Sequence, residues 1–130
     1  MKARENAMRL KRHEVDEKSR KVDDLERIIR EFDTMAVDLE RQIQLEEDRT
    51  GIRDRAHFSY STFAKAAAQR RDNLRTSTDG LREKLAAAVR ERDDTAEQFA
   101  RAAAQAEIRN DHRTTRRRGD RMNTSVRQAN

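Results

Sequence analysis

Met8, Val15, Val22, Ile29, Ala36 and Ile43 recur every seventh residue along the first third of the chain, and Leu25, Phe32 and Leu39 fall three residues after three of them. These are the a and d positions of a heptad repeat, and every a position is apolar. One helix cannot bury such a stripe alone, so the pattern predicts an arm of a coiled coil. The first helix is expected over about 2–49, roughly 70 Å long. Gly51 follows Arg49 and Thr50 and is the expected stop, because glycine takes the left-handed conformation at little cost. From Thr50 to Phe58 the repeat is broken, so a connector is expected over about 50–60. Ser59 or Ser61 is placed to cap the next helix.

A second helix is expected over about 61–109. Ala67, Leu74, Leu81, Ala88 and Ala102 keep the seven-residue spacing, and Leu85, Phe99 and Ala106 form the companion stripe. Gly80 is a soft point, costing ~1 kcal/mol against alanine. Two such arms joined by a short connector predict an all-α fold, an antiparallel coiled-coil hairpin over 1–110. A turn centred near Arg53 and Asp54 sets Val22 opposite Leu85, Phe32 opposite Leu74 and Met8 opposite Phe99. A shift of one heptad pairs Ile29 with Leu85 and fits nearly as well; the first register is preferred because it centres the turn in the broken stretch. Lys11, Lys18, Arg71 and Arg92 also fall on the stripes, and their stems are expected to lie along the seam while the charges reach water.

Composition narrows the picture. Of 130 residues, 42% are charged, 34% hydrophobic and 4% aromatic, which is too little apolar material for a wide globular core but enough for a two-helix seam. Proline is absent, as long helices require. Without cysteine there is no disulfide, thiolate metal site or cysteine nucleophile. No stretch approaches the ~20 apolar residues that span a bilayer. The opening Met1-Lys2-Ala3-Arg4-Glu5 lacks a signal-peptide core, so the cytoplasm is the expected location. The net charge of +5 is unevenly placed. Residues 1–108 are balanced and the excess sits in 109–130, where Arg109, Arg113, Arg116, Arg117, Arg118, Arg121 and Arg127 face only Asp111 and Asp120; 111–130 reads as a disordered basic tail.

Candidate chemistry is sparse. His13 and Glu17 stand one turn apart, but two ligands without a third describe a solvated face better than a metal site. His57 reads as a cap or surface group. Gly51, Gly80 and Gly119 are too dispersed for a phosphate loop. Asn123-Thr124-Ser125 fits a glycosylation sequon without the secretory context to use it. The chain is therefore expected to be non-enzymatic, with no cofactor and no metal. Two features rise above this background. Phe58, Tyr60 and Phe63 cluster beside the connector, either plugging the closed end or forming an exposed patch for a partner. Arg116-Arg117-Arg118 is either a solvated terminus or a site for phosphate backbone or anionic lipid. No aromatic residue accompanies that run to stack on bases.

Arg4-Glu5-Asn6-Ala7-Met8-Arg9-Leu10-Lys11-Arg12, then Val15-Asp16-Glu17-Lys18, and the run from His57-Phe58-Ser59-Tyr60-Ser61-Thr62-Phe63 through Ala64-Lys65-Ala66-Ala67-Ala68-Gln69-Arg70-Arg71-Asp72-Asn73-Leu74 resemble the flagellar export protein family FliJ in its alphaproteobacterial form. The resemblance covers roughly residues 2–90, and heptad logic does not demand the string from Tyr60 to Leu74. It implies an antiparallel two-helix stalk that promotes assembly of the export ATPase FliI, links it to the gate protein FlhA and recycles substrate chaperones. Such a protein sits at the cytoplasmic face of the inner membrane at the flagellar base, peripherally and through the export apparatus. Neither a small-molecule substrate nor nucleic acid is expected. The resemblance places the gate contact near Gln42, Phe63 and Ala67, to which Phe58 and Tyr60 are neighbours. The ATPase contact is expected at the open end, where Arg4, Arg9, Lys11 and Arg12 gather. After about residue 90 the alanine- and arginine-rich sequence departs from the family pattern. A coiled-coil scaffold that dimerises through the same stripe is the alternative from the residues alone, and a nucleic-acid-binding tail is a third reading.

Overall fold

Forty-nine consecutive residues without proline or glycine form one helix, α1 (Lys2–Thr50), and a second, α2 (Thr62–Ala129), follows a short connector. The computed structural model describes the backbone of residues 2–129 and the side chains of residues 2–119. The sequon and the charges of Arg121 and Arg127 lie outside the described side chains. The two helices pack against each other, and no strand is present among the described residues. The packing divides into two units, one of residues 18–90 and one of residues 1–17 with 91–130.

In the unit of residues 18–90, the heptad stripe of α1 is the inner face. Val22, Ile29, Ala36, Leu39 and Ile43 are buried, and Leu25 and Phe32 are half-buried. On α2 the inner face runs Ala64, Ala67, Arg71, Leu74, Thr78, Leu81, Leu85 and Ala88, in steps of three and four. Leu74, Leu81 and Leu85 remain half-buried there. Leu39, Ile43, Tyr60, Ala64, Ala67 and Ala68 form one apolar cluster, with Ile52 and Leu74 packed against it. The small alanines let the backbones come close where Tyr60 and Ile43 supply the bulk.

The pairing differs from the preferred register. Leu74, expected opposite Phe32, packs against the Leu39–Ile43 cluster. Phe32 lies with Ile28 along a groove whose other wall is Ser77, Gly80, Leu81 and Lys84. Arg82 reaches Asp33 at 3.4 Å. The displacement runs toward the register that pairs Ile29 with Leu85, which the Arg82–Asp33 pair fits more nearly than the preferred one. Its cause is the connector. Two tight turns, His57 N–H to Asp54 O (3.1 Å) and Tyr60 N–H to His57 O (3.0 Å), consume residues without advancing along either helix. The reversal is therefore centred near Ala56, not at Arg53 and Asp54.

Arg71 overturns another expectation. Its side chain is buried instead of reaching out to water, bonded to Glu40 of α1 and held at 3.0 Å from Asp72. Glu40 raises the Arg71 pKa further, against the opposing effect of burial. Two inner positions are threonines that a polarity pattern passes over. Thr78 and Thr95 turn their hydroxyls back to the carbonyls of Leu74 and Glu91, each at 2.8 Å. The hydroxyl is satisfied within its own helix and the methyl packs on the seam.

In the unit of residues 1–17 with 91–130, Met8, Lys11 and Val15 are half-buried, as are Arg92, Phe99, Ala102 and Ala106, while Thr95 is buried. Met8 lines a groove with Ala106 and Asn110, not with Phe99. The expected tail differs from the structure in one respect. The helical backbone of α2 does not stop near 109 but runs on to Ala129. What ends there is burial, since residues 107–119 are exposed throughout. No proline intervenes and arginine is a good helix former, so the helix continues. Without a partner such a segment is only marginally stable in water.

Candidate protein-binding surfaces

The connector is shaped by local hydrogen bonds. Gly51 has φ of 72°, the left-handed region, and its N–H bonds the carbonyl of Glu47 at 2.8 Å, closing the last turn of α1. Asp54 Oδ1 accepts from Ala56 N–H at 2.9 Å. Ser61 is the N-cap of α2, its Oγ accepting from Ala64 N–H at 3.2 Å. Ser59, the other candidate cap, instead gives its N–H to His57 Nδ1 at 3.0 Å.

A carboxylate row at the end of α1 ties the connector down. The Tyr60 hydroxyl donates to Glu47 Oε1 at 2.8 Å, and the Ser61 hydroxyl donates to Glu46 Oε1 at 2.9 Å. Arg49 grips Glu46 with two bonds, 3.1 Å from Nε and 2.6 Å from Nη2. Arg53 bonds Asp48. The Arg49 and Ser61 hydrogen bonds push the Glu46 pKa down from the usual carboxylate range to about 2. Burial, and then the bond to Glu47, raise that of Tyr60. A carboxylate depressed in the folded state stabilises the fold above its unfolded pKa, and that contribution is lost as pH falls through the folded value. Thermal melts of the parent and of Glu46→Gln are therefore expected to differ most at neutral pH and to converge between about pH 5 and pH 2. A gap that stays constant over that range refutes the Glu46 anchor.

The aromatic trio is split. Tyr60 is buried and plugs the closed end. Phe58 is 94% exposed and stacked on His57, with ring centroids 4.7 Å apart, and Phe63 is 58% exposed. Of the five candidate gate residues, Tyr60 and Ala67 are buried in the seam, Ala67 where its stripe position puts it. Gln42, Phe58 and Phe63 remain outside. Gln42 precedes buried Ile43 and Phe63 precedes buried Ala64 in the same cluster, so both flank one stretch of seam. No family model, curated protein or solved structure matches the chain.

The pattern did not single out Met35 or Leu45, which lie off the stripe yet are exposed apolar residues on the same helix as Gln42. Such positions carry no periodic signal, and only exposure identifies them. His13 Nε2 sits 2.9 Å from Glu17 Oε1, and no group of three or more potential metal ligands occurs among the described residues. Nor is any described helix long and apolar enough to cross a membrane. At the other site, Arg4, Arg9 and Arg12 are exposed and Lys11 is half-buried. Arg4, Glu5, Met8 and Arg9 of α1 share a groove with Ala106, Asn110 and Arg113 of α2. Arg113 thus adds a cation from α2 to a set expected from α1 alone.

Proposed function

We propose that this chain is a non-catalytic coiled-coil stalk of the flagellar type III export apparatus, promoting FliI assembly and activity and linking that ATPase to the gate protein FlhA. The observation that carries the reading is the closed end. Tyr60 alone fills the plug, so Phe58 and Phe63 are held outside by a hydrogen-bonded connector that does not need them for folding. Exposed aromatics on a preorganised surface lose little entropy on docking, which suits a partner contact. The resemblance over Tyr60 to Leu74 gives that partner its name, and the Arg4, Arg9 and Arg113 groove supplies cations for acidic ATPase loops. Exposed ion pairs such as these are weak enough to exchange through a cycle. In this reading the chain works in the cytoplasm at the flagellar base and substrate chaperones visit it there.

Two measurements test the proposal. Phe63→Ala is expected to weaken binding of the cytoplasmic part of FlhA about tenfold or more with helix content unchanged. Reversing charge at Arg9 and Arg12 is expected to reduce stimulation of FliI turnover. If the parent chain neither binds FlhA nor stimulates FliI, the reading fails. Exposed Met35 and Leu45 support one alternative, a scaffold that dimerises along α1. Sedimentation of a stable dimer that Leu45→Glu dissociates favours it.

A further inference from the structure

On the inner face of α2 in the unit of residues 1–17 with 91–130, the series Thr95, Phe99, Ala102 and Ala106 meets α1. Continued in the same steps of four and three, that series reads Arg109, Arg113 and Arg116. Three arginines therefore occupy the face that, one turn earlier, is the seam. All three are exposed, and none is in an ion pair or side-chain hydrogen bond among the described residues. The threonines of this segment are turned to their own backbone, Thr114 to Asn110 O at 3.0 Å and Thr115 to Asp111 O at 2.9 Å. Ile108, 56% exposed, lies beside the arginine face.

The fold itself shows how a seam arginine is accommodated. In the unit of residues 18–90, Arg71 holds an inner position of α2 and is satisfied by Glu40, a carboxylate of the opposed helix. Fork-shaped guanidinium and carboxylate pair well in that geometry. Beyond Ala106 the groove shared with α1 holds one carboxylate, Glu5, and no ion pair joins it to Arg113 among the described residues.

We propose that residues 109–119 of α2 are a docking face for an acidic amphipathic helix of a partner protein, with Asp or Glu at three- and four-residue spacing opposite Arg109, Arg113 and Arg116. The helical spacing of the cations favours this occupant. Arginines four and three residues apart climb one face by about 6 Å and 4.5 Å, the same rise that separates carboxylates at those spacings on another helix. A nucleic-acid strand is the weaker fit, because the segment has no aromatic side chain on which bases stack. The face shares Arg113 with the cationic groove of the export reading, but the peptide measurement involves neither FliI nor FlhA, so either reading can fail alone.

The test uses the full chain and a labelled synthetic peptide of about three heptads, with glutamates at three- and four-residue spacing on an alanine background. A scrambled peptide of the same composition and a short DNA duplex are the comparisons. Fluorescence anisotropy is expected to show the patterned peptide binding about tenfold or more tighter than the scrambled one, with a gain of helical circular dichroism on mixing. Replacing Arg109, Arg113 and Arg116 together by Gln is expected to abolish that preference. Replacing Arg117 and Arg118 by Gln, off the face, is expected to leave it. The parent thermal midpoint should persist in both variants, since all five residues are exposed. Equal binding of the two peptides, no binding of either, or tighter binding of the duplex each overturns the proposal, the last in favour of nucleic acid.

Discussion

Ile43→Asp is expected to cost about 3–5 kcal/mol and to lower the thermal midpoint by roughly 10 °C or more. Ile43 is 2% exposed and sits among Leu39, Tyr60 and Ala64. A carboxylate there meets apolar side chains in place of solvent, and the cluster's one hydroxyl, that of Tyr60, is already given to Glu47. Burial raises the pKa of such a group, so the loss is expected to shrink as pH falls and the acid becomes neutral. Two controls sharpen the result. Ile43→Leu keeps the volume and is expected to cost under about 1.5 kcal/mol. Leu45→Asp, two residues away but 64% exposed, is expected to change stability by no more than about 0.5 kcal/mol. Circular dichroism melts read all three. If Ile43→Asp and Leu45→Asp melt alike, the inner face of α1 has been misplaced.

The second large effect concerns the aromatic trio. Tyr60→Ala is expected to cost about 3–5 kcal/mol, because a buried ring is removed next to alanines that cannot fill its space. It also strips Glu47 of its hydroxyl donor. Tyr60→Phe keeps the ring and loses only that bond, for about 1 kcal/mol. Phe58→Ala and Phe63→Ala are expected to leave the midpoint within about 0.5 kcal/mol of the parent, since both rings face outward. Denaturant unfolding of the four variants separates the roles. Equal losses at all three aromatic positions rule out the split between plug and surface. The same split bears on function, because only a side chain that does not hold the fold together can be spent on a partner.

Much of α1 was written in its periodicity. Six apolar a positions in register leave one way to face a neighbour, and Val22, Ile29, Ala36 and Ile43 are buried where that pattern puts them. Gly51 ends the helix for a local reason, its freedom to adopt positive φ. Heptads, caps and stops are local properties of the chain, so the sequence by itself determined two helices and the hairpin between them. The candidate surfaces were less legible. Phe58, Tyr60 and Phe63 look alike as a string, yet one is buried and two are not. That division depends on how the Asp54–His57 and His57–Tyr60 turns rotate each ring, and on Glu47 standing within reach of one hydroxyl.

The inner face of α2 was harder to read, and for a chemical reason. Thr78, Thr95 and Arg71 are polar by any scale, but hydroxyls bonded to their own helix and a guanidinium bonded to Glu40 behave as packed groups. Whether a polar residue can be buried is set by its partner, and the partner lies on another turn or another helix. The register was likewise settled only in three dimensions. A repeat of seven permits several alignments that bury similar stripes; the residues taken up by the connector's two turns, together with the Glu40–Arg71 pair and the close packing of Ala64, Ala67 and Ala68, select one of them.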